Sequence, residues 1–222
     1  QSAGECPQAW VSDIAFSRPR RITQMNPQFA KMAMGSSRLV EWRGLEGELM
    51  RGALLLPPDY QPGQRVPLVV YLYGDDRLSS DLHLFGFNDQ LLMPYENMQL
   101  LASRGYAVLR PDTRTREHTP MSDIAASIMP AIDRLVDMGI ADPARLGIMG
   151  RSYGGYSVMA VLVQTQRFKA AIEVCGQANL FGVYREMDSR GNTWKISWVE
   201  EHQGKLRATP WAARDRYVEN SP

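Results

Sequence analysis

The chain is poor in the residues that bind metals and form cross-links. Its 222 residues include two cysteines and three histidines. Cys6 and Cys175 lie far apart and show no metal-ligand spacing, and a single pair leaves the redox compartment undecided. Cys175, at a strand edge, is expected to be a small core residue. Charge of either sign is also missing as a net quantity. Against 25 Lys and Arg stand 24 Asp and Glu, a formal +1, so there is no field to gather nucleic acid or an anionic membrane surface. The arginines at 18, 20 and 21 fit a solvated turn. No apolar run approaches the length of a bilayer; the best, VPLVVYLY at 66–73, is strand-sized. Repeats and low-complexity tracts are absent. The chain opens without an initiator methionine or a signal-peptide core and closes in what reads as a connecting loop, so an internal fragment is expected. What remains is an ordinary globular balance, 44% hydrophobic and 22% charged, with length for one sizeable core.

Against that plain background one segment stands out, Gly150-Arg151-Ser152-Tyr153-Gly154-Gly155. The run RLGIM at 145–149 has the length and composition of a buried strand. YSVMAVLV at 156–163 reads as a buried helix. A G-x-S-x-G between strand and helix is the pattern of a nucleophile elbow. Only glycine fits the flanks of so tight a turn, and the turn lifts the serine hydroxyl above the sheet edge. The following helix N-terminus aims backbone N–H groups where an oxyanion would form. The plainer reading is a glycine-rich turn that holds an ordinary serine. Strand before, helix after and the extra Gly155 favour the elbow.

The rest of the chain supplies a matching frame. Alternation suggests short strands at 10–16 and 20–23, then a turn or helix start at Asn26. A hairpin is predicted from 37–42 and 48–56, with Gly44 and Gly47 between. After a proline-rich turn at 57–63 comes a central strand at 66–73. From there strand and helix alternate: a helix at 91–103, a strand at 106–110, and a helix from Ser122 or Asp123 to Met138. Its apolar stripe is Ile124, Ile128, Ile132 and Leu135, and Pro130 implies a kink or a later start. A further strand is predicted at 168–174. Strands joined by helices of this length imply an α/β fold, a mostly parallel sheet with helices on both faces.

At this level of detail the chain resembles the prolyl oligopeptidase family of serine peptidases, its dipeptidyl-peptidase and acylaminoacyl-peptidase-like members in particular. The resemblance is carried by ADPARLGIMGRSYGGY at 141–156, by LLASRGYAVLRPD at 100–112 and by the strand at 66–74. It extends over residues 40–222. It implies an α/β-hydrolase fold truncated before its last two strands, occupying residues 35–222. Residues 1–34 would then be the end of a β-propeller and the linker that follows it. It also implies a peptide substrate, no cofactor and no metal, and it leaves oligomeric state and compartment unassigned.

The resemblance gives roles to individual residues. Ser152 would attack the substrate carbonyl, and the backbone N–H of Tyr153 would be one oxyanion donor. Tyr73 stands where the family's second donor, a tyrosine phenol, is found; packing is its other reading. Many relatives have a second glycine and a proline after that tyrosine, where this chain has Asp75 and Asp76. Phe181 and Tyr184 are candidate walls of the specificity pocket, with core packing the equal alternative. Serine needs a base and an orienting acid. The family places both late in the domain, so both are expected beyond Pro222. An in-chain set, Ser152, Asp188 and His202, has the right order but too little intervening chain for two strands. His83 and His118 precede the serine and are expected as surface or lining residues. Asp75 and Asp76 fit a solvated turn better than a metal site. Two rival functions share the fold: an esterase or other acyl hydrolase, and a non-catalytic scaffold that retains the elbow.

Overall fold

The computed structural model describes residues 2–44, 46–87 and 96–222. Among the described residues, eight strands and six α-helices follow one another. A two-stranded antiparallel ribbon comes first, β1 (Trp10–Val11) with β2 (Arg20–Arg21). A 3-10 helix, Pro27–Lys31, leads to the hairpin β3 (Ser36–Arg43) and β4 (Leu49–Leu56). Then come β5 (Val66–Tyr71), a 3-10 segment Leu78–His83, α1 (Met98–Ala102), β6 (Ala107–Pro111) and α2 (Pro120–Asp137). The chain continues through β7 (Ala141–Arg151), α3 (Tyr153–Leu162), β8 (Ala170–Val174), α4 (Leu180–Tyr184), α5 (Trp194–Glu200) and α6 (Arg214–Glu219).

The last six strands form one sheet in the order β3-β4-β6-β5-β7-β8. The β3–β4 and β4–β6 pairs are antiparallel, and β6–β5, β5–β7 and β7–β8 are parallel. Alternation along each strand divides the core in two. Leu54, Leu68, Leu72, Leu109 and Ile148 face α2 and α3, whose buried Ile124, Ile128, Ile132, Val158 and Val161 complete that layer. Their neighbours Ala53, Leu55, Tyr71, Val108 and Met149 face the opposite side, with Met98 and Ala102 of α1. This is the α/β-hydrolase architecture, with the expected helices on both faces of a mostly parallel sheet. β8 is the outermost strand, and four of its five residues are exposed.

Several elements differ from the sequence reading, each for a local reason. The strand at 10–16 stops at Val11, because Asp13 turns the chain; its carboxylate accepts from the Ser17 amide at 2.8 Å and the Ser17 hydroxyl at 2.6 Å. α2 starts at Pro120, where the missing N–H costs nothing in a first turn. Asp123 therefore lies inside the helix and is not its cap. Pro130 does not delay the helix, which is continuous from Pro120 to Asp137. Pro130 and Ala126, whose carbonyl loses its donor, both lie on the half-buried side. Of the helix expected at 91–103, residues 91–95 lie outside the described residues, and α1 itself starts at Met98, where the Asn97 side chain caps it by accepting from the Gln99 amide. Cys175 is exposed one residue past β8, with φ 50°, and so is not the core residue expected.

Candidate active site

β7 ends at Arg151 and α3 begins at Tyr153, so a single residue makes the turn between them. That residue is Ser152, with φ 58° and ψ −122°. A non-glycine side chain rarely adopts this conformation, which persists only where the surroundings impose it. They do so here through glycine. A Cβ on Gly150 would strike the Gly154 carbonyl, and one on Gly154 would strike the Leu72 carbonyl. A Cβ on Gly155 would lie 2.8 Å from the Gly176 nitrogen. The three glycines thus let α3 start directly against the ends of β5 and β8. The Ser152 amide is fixed by the Val174 carbonyl at 2.8 Å, while the residue itself is exposed. A hydroxyl so held can attack a carbonyl carbon once a base removes its proton.

The first amides of α3, that of Tyr153 foremost, have no acceptor within the helix and face the turn. Tyr73, two residues past β5, meets the Tyr153 ring edge-on, with centroids 6.0 Å apart. The loop that follows is firmly held. The Gly74 amide donates to Ser157 Oγ at 3.1 Å, and Ser157 Oγ donates to the Tyr153 carbonyl at 2.6 Å. Thr113 Oγ1 donates to the Tyr73 carbonyl at 2.8 Å. Asp75 takes a left-handed φ of 59°, which short polar side chains tolerate better than most. Its carboxylate pairs with Lys205 Nζ at 2.6 Å and accepts from the Thr115 amide at 3.2 Å. Asp75 thus serves as a loop anchor.

On the other flank of Ser152, Arg151 Nε donates to Glu96 Oε1 at 3.0 Å, and Tyr71 Oη donates to the same oxygen at 3.1 Å. Burial, and then the Glu96 charge, push the Tyr71 phenol up to about 12. It therefore stays a donor at any working pH. Arg110 stacks over the Tyr71 ring at 4.7 Å and pairs with Asp81 at 2.8 Å. Burial also pushes the Tyr153 phenol well up; that hydroxyl donates to the Gln203 carbonyl at 2.7 Å.

The three histidines are all exposed, and among the described residues none hydrogen-bonds Ser152. His83 ends the 3-10 segment, His118 has φ 73° in the loop before α2, and His202 follows α5. Asp188 is occupied by its own turn. It accepts from the Asn192 side chain and from the Asn192 and Arg190 amides, bonds that hold its carboxyl below the usual range. Asp188 and His202 are not hydrogen-bonded to each other. Phe181 and Tyr184 lie on α4: Phe181 packs at 5.2 Å on Tyr217, and Tyr184 sits edge-on to Trp211 and Tyr217. Among the described residues, no group of three or more His, Cys, Asp or Glu side chains could hold a metal ion.

Sequence reasoning missed Gln203, Ser157, Thr113 and Lys205, all of which brace the Tyr73 loop. Gln203 is 130 residues from Tyr73 and Ser157 is 83 from Gly74. No local pattern marks such pairs.

Comparison with known proteins bears on this geometry. The profile of the prolyl oligopeptidase family matches residues 93–222. The lasso peptide isopeptidase of Asticcacaulis excentricus is 30% identical over 167 residues, which is 66% of this chain and 23% of that protein. Human dipeptidyl peptidase 8 is 30% identical over 139 residues, 57% of this chain and 15% of that protein. Among solved structures, an acylaminoacyl peptidase of Pyrococcus horikoshii superposes with a TM-score of 0.77 at 21% identity, over 100% of this chain and 34% of that one. A puromycin-hydrolyzing peptidase of Mycobacterium tuberculosis gives 0.73 at 23% identity, over 100% of this chain and 33% of that one. The chain thus spans less than a quarter of these curated relatives and about a third of these solved chains.

Proposed function

The chain belongs to the prolyl oligopeptidase family, and from that premise we propose that it carries the nucleophile of a serine peptidase acting on short peptides. One observation carries the reading: Ser152 is an exposed serine at φ 58°, raised on a strand-to-helix turn that glycine packing enforces. Its hydroxyl attacks the scissile carbonyl as a base withdraws the proton. The negative charge that develops on the carbonyl oxygen is met by the Tyr153 amide and the Tyr73 phenol. Collapse expels the amine and leaves an acyl-enzyme on Ser152, which water hydrolyses. The acid and histidine of the triad are supplied by sequence beyond Pro222. The exposed positions of His83, His118 and His202, and the local bonding of Asp188, support that assignment. Residues 1–34, whose described part includes the small β1–β2 ribbon and one 3-10 helix, are the junction with a preceding propeller. Phe181 and Tyr184 are assigned to the walls of the specificity pocket.

The test uses the full-length protein, with an aminoacyl nitroanilide and the matching nitrophenyl ester. Peptidase function requires turnover of the anilide and its loss, by about a millionfold in kcat, in Ser152→Ala. Turnover of the ester alone would make the protein an esterase. Turnover of neither, with no labelling of Ser152 by a serine-directed phosphonate, would make it a scaffold.

A further inference from the structure

Gln203 lies in the turn after α5, half-buried, and touches both residues assigned above to the oxyanion. Its backbone carbonyl accepts from Tyr153 Oη at 2.7 Å. Its side-chain Nε2 donates to Tyr73 Oη at 3.1 Å. Its Oε1 accepts from Trp198 Nε1 at 2.6 Å. The turn itself is fixed, because the Gly204 amide donates to the Trp198 carbonyl at 3.0 Å and a Cβ on Gly204 would press into the Val199 backbone.

The orientation of this amide follows from chemistry. An indole N–H can only donate, so the oxygen of the Gln203 amide must face Trp198. The NH2 group must then face Tyr73, and the Tyr73 oxygen must accept. A phenol that accepts from a neighbour cannot also donate back to it, so its own hydrogen is left for a third group. A hydroxyl polarised by one accepted bond also donates the next more strongly. The chain of donors runs Trp198 to Gln203 and Gln203 to Tyr73, and it ends on a hydrogen with no acceptor among the described residues.

We propose that Gln203 is a positioning residue for the reaction: its amide, locked by Trp198, orients Tyr73 so that the phenolic hydrogen is presented to the substrate oxyanion. The proposal rests on the reading of Tyr73 as an oxyanion donor. Gln203 and Lys205 brace the loop from the same turn, through Tyr73 and Asp75.

The decisive variant is Gln203→Glu in the full-length protein. It is nearly isosteric and keeps an acceptor for Trp198, but a carboxylate offers no donor to Tyr73. The phenol then donates to the carboxylate, and its hydrogen turns away from the substrate. Gln203→Met, neutral and of the same length, serves as the second variant should the first not fold. Steady-state kinetics on a peptidyl nitroanilide are measured for Gln203→Glu, Tyr73→Phe and the pair. The expected result is a fall in kcat of about 10- to 100-fold in Gln203→Glu, no more than the roughly 100- to 1,000-fold cost of one lost oxyanion donor, at unchanged KM. In the Tyr73→Phe background the same substitution should have no further effect. A normal kcat in Gln203→Glu beside a low kcat in Tyr73→Phe would overturn the proposal and leave the Tyr73 reading standing. Losses that multiply in the double variant would reduce Gln203 to a structural residue and also overturn it. A normal kcat in Tyr73→Phe would overturn the Tyr73 reading, and this proposal with it.

Discussion

Replacing Gly74 by alanine isolates the packing that aims Tyr73, because Gly74 is the next residue and has no unusual backbone to relieve. A methyl group there would lie 2.7 Å from Tyr153 Cε1, 2.8 Å from Ser157 Oγ and 2.9 Å from Ile124 Cδ1. All three neighbours are buried to within a few per cent, so none can swing into solvent. Ordinary contact begins at 3.4 Å, so the loop must retreat by half an ångström or more. Overpacking of this kind costs about 1–3 kcal/mol. The retreat also lengthens the Gly74 amide bond to Ser157 and carries Tyr73 away from the Tyr153 amide. A displacement near 1 Å at a reacting centre can cost about 100-fold in rate, so about 10-fold in kcat is expected for this smaller one. Gly182→Ala is the control: its methyl would meet nothing nearer than 3.5 Å, at the Asn179 side chain, and it lies within α4. That variant should gain up to about 1 kcal/mol of helix propensity. Unfolding midpoints and nitroanilide kinetics of the full-length protein measure both. A Gly74→Ala variant with wild-type midpoint and kcat would refute the argument that this contact aims Tyr73.

Three further outcomes are expected. Tyr73→Phe should lower kcat by about 2.7–4 kcal/mol of transition-state stabilisation and leave KM nearly unchanged; an equal fall in kcat/KM caused wholly by KM would assign Tyr73 to binding. Ser157→Ala leaves the buried Gly74 amide without its acceptor and should destabilise by about 1–3 kcal/mol, read as a lower urea midpoint. Asp123→Asn tests the Arg116 clamp. Burial acts to raise the Asp123 carboxyl, but the bonds from the Arg116 guanidinium, the Arg116 amide and the Thr119 hydroxyl outweigh it and hold the carboxyl below its usual value. A lowered folded pKa stabilises above the unfolded value and loses that contribution as pH falls through the folded one. The Asn variant should therefore be less stable by about 2 kcal/mol at neutral pH, and the gap should begin to shrink near about pH 4 and close only below the lower folded value. A gap independent of pH would show that charge is not the cause.

The elements of the fold were legible because each is written in neighbouring residues. The alternation around Val40, Glu41 and Trp42 and the bounded apolar run VPLVVY mark strands. The stripe of Ile124, Ile128, Ile132 and Leu135 marks a helix, and all four are fully buried. Boundaries were less legible where a side chain diverts the backbone, as Asp13 does, or where proline opens a helix, as Pro120 does. The later start that Pro130 suggested is not taken, and the Ala126 carbonyl that loses its donor falls on the half-buried side of α2, which the sequence does not show.

The candidate site divides along the same line. Ser152 and its glycines were determined by the sequence itself, since a tight strand-to-helix turn demands small residues at fixed offsets and the demand is local. That Gly154 is pressed on Leu72 and Gly155 on Gly176, and that Gln203, Lys205, Thr113 and Ser157 converge on the Tyr73 loop, only the tertiary structure decided. The hydrogen-bonded partners of the Tyr73 loop lie 40 to 130 residues apart in the chain. Hydrogen bonds between such residues depend on where sheet order and helix packing bring the backbone, and no pattern within one segment records that.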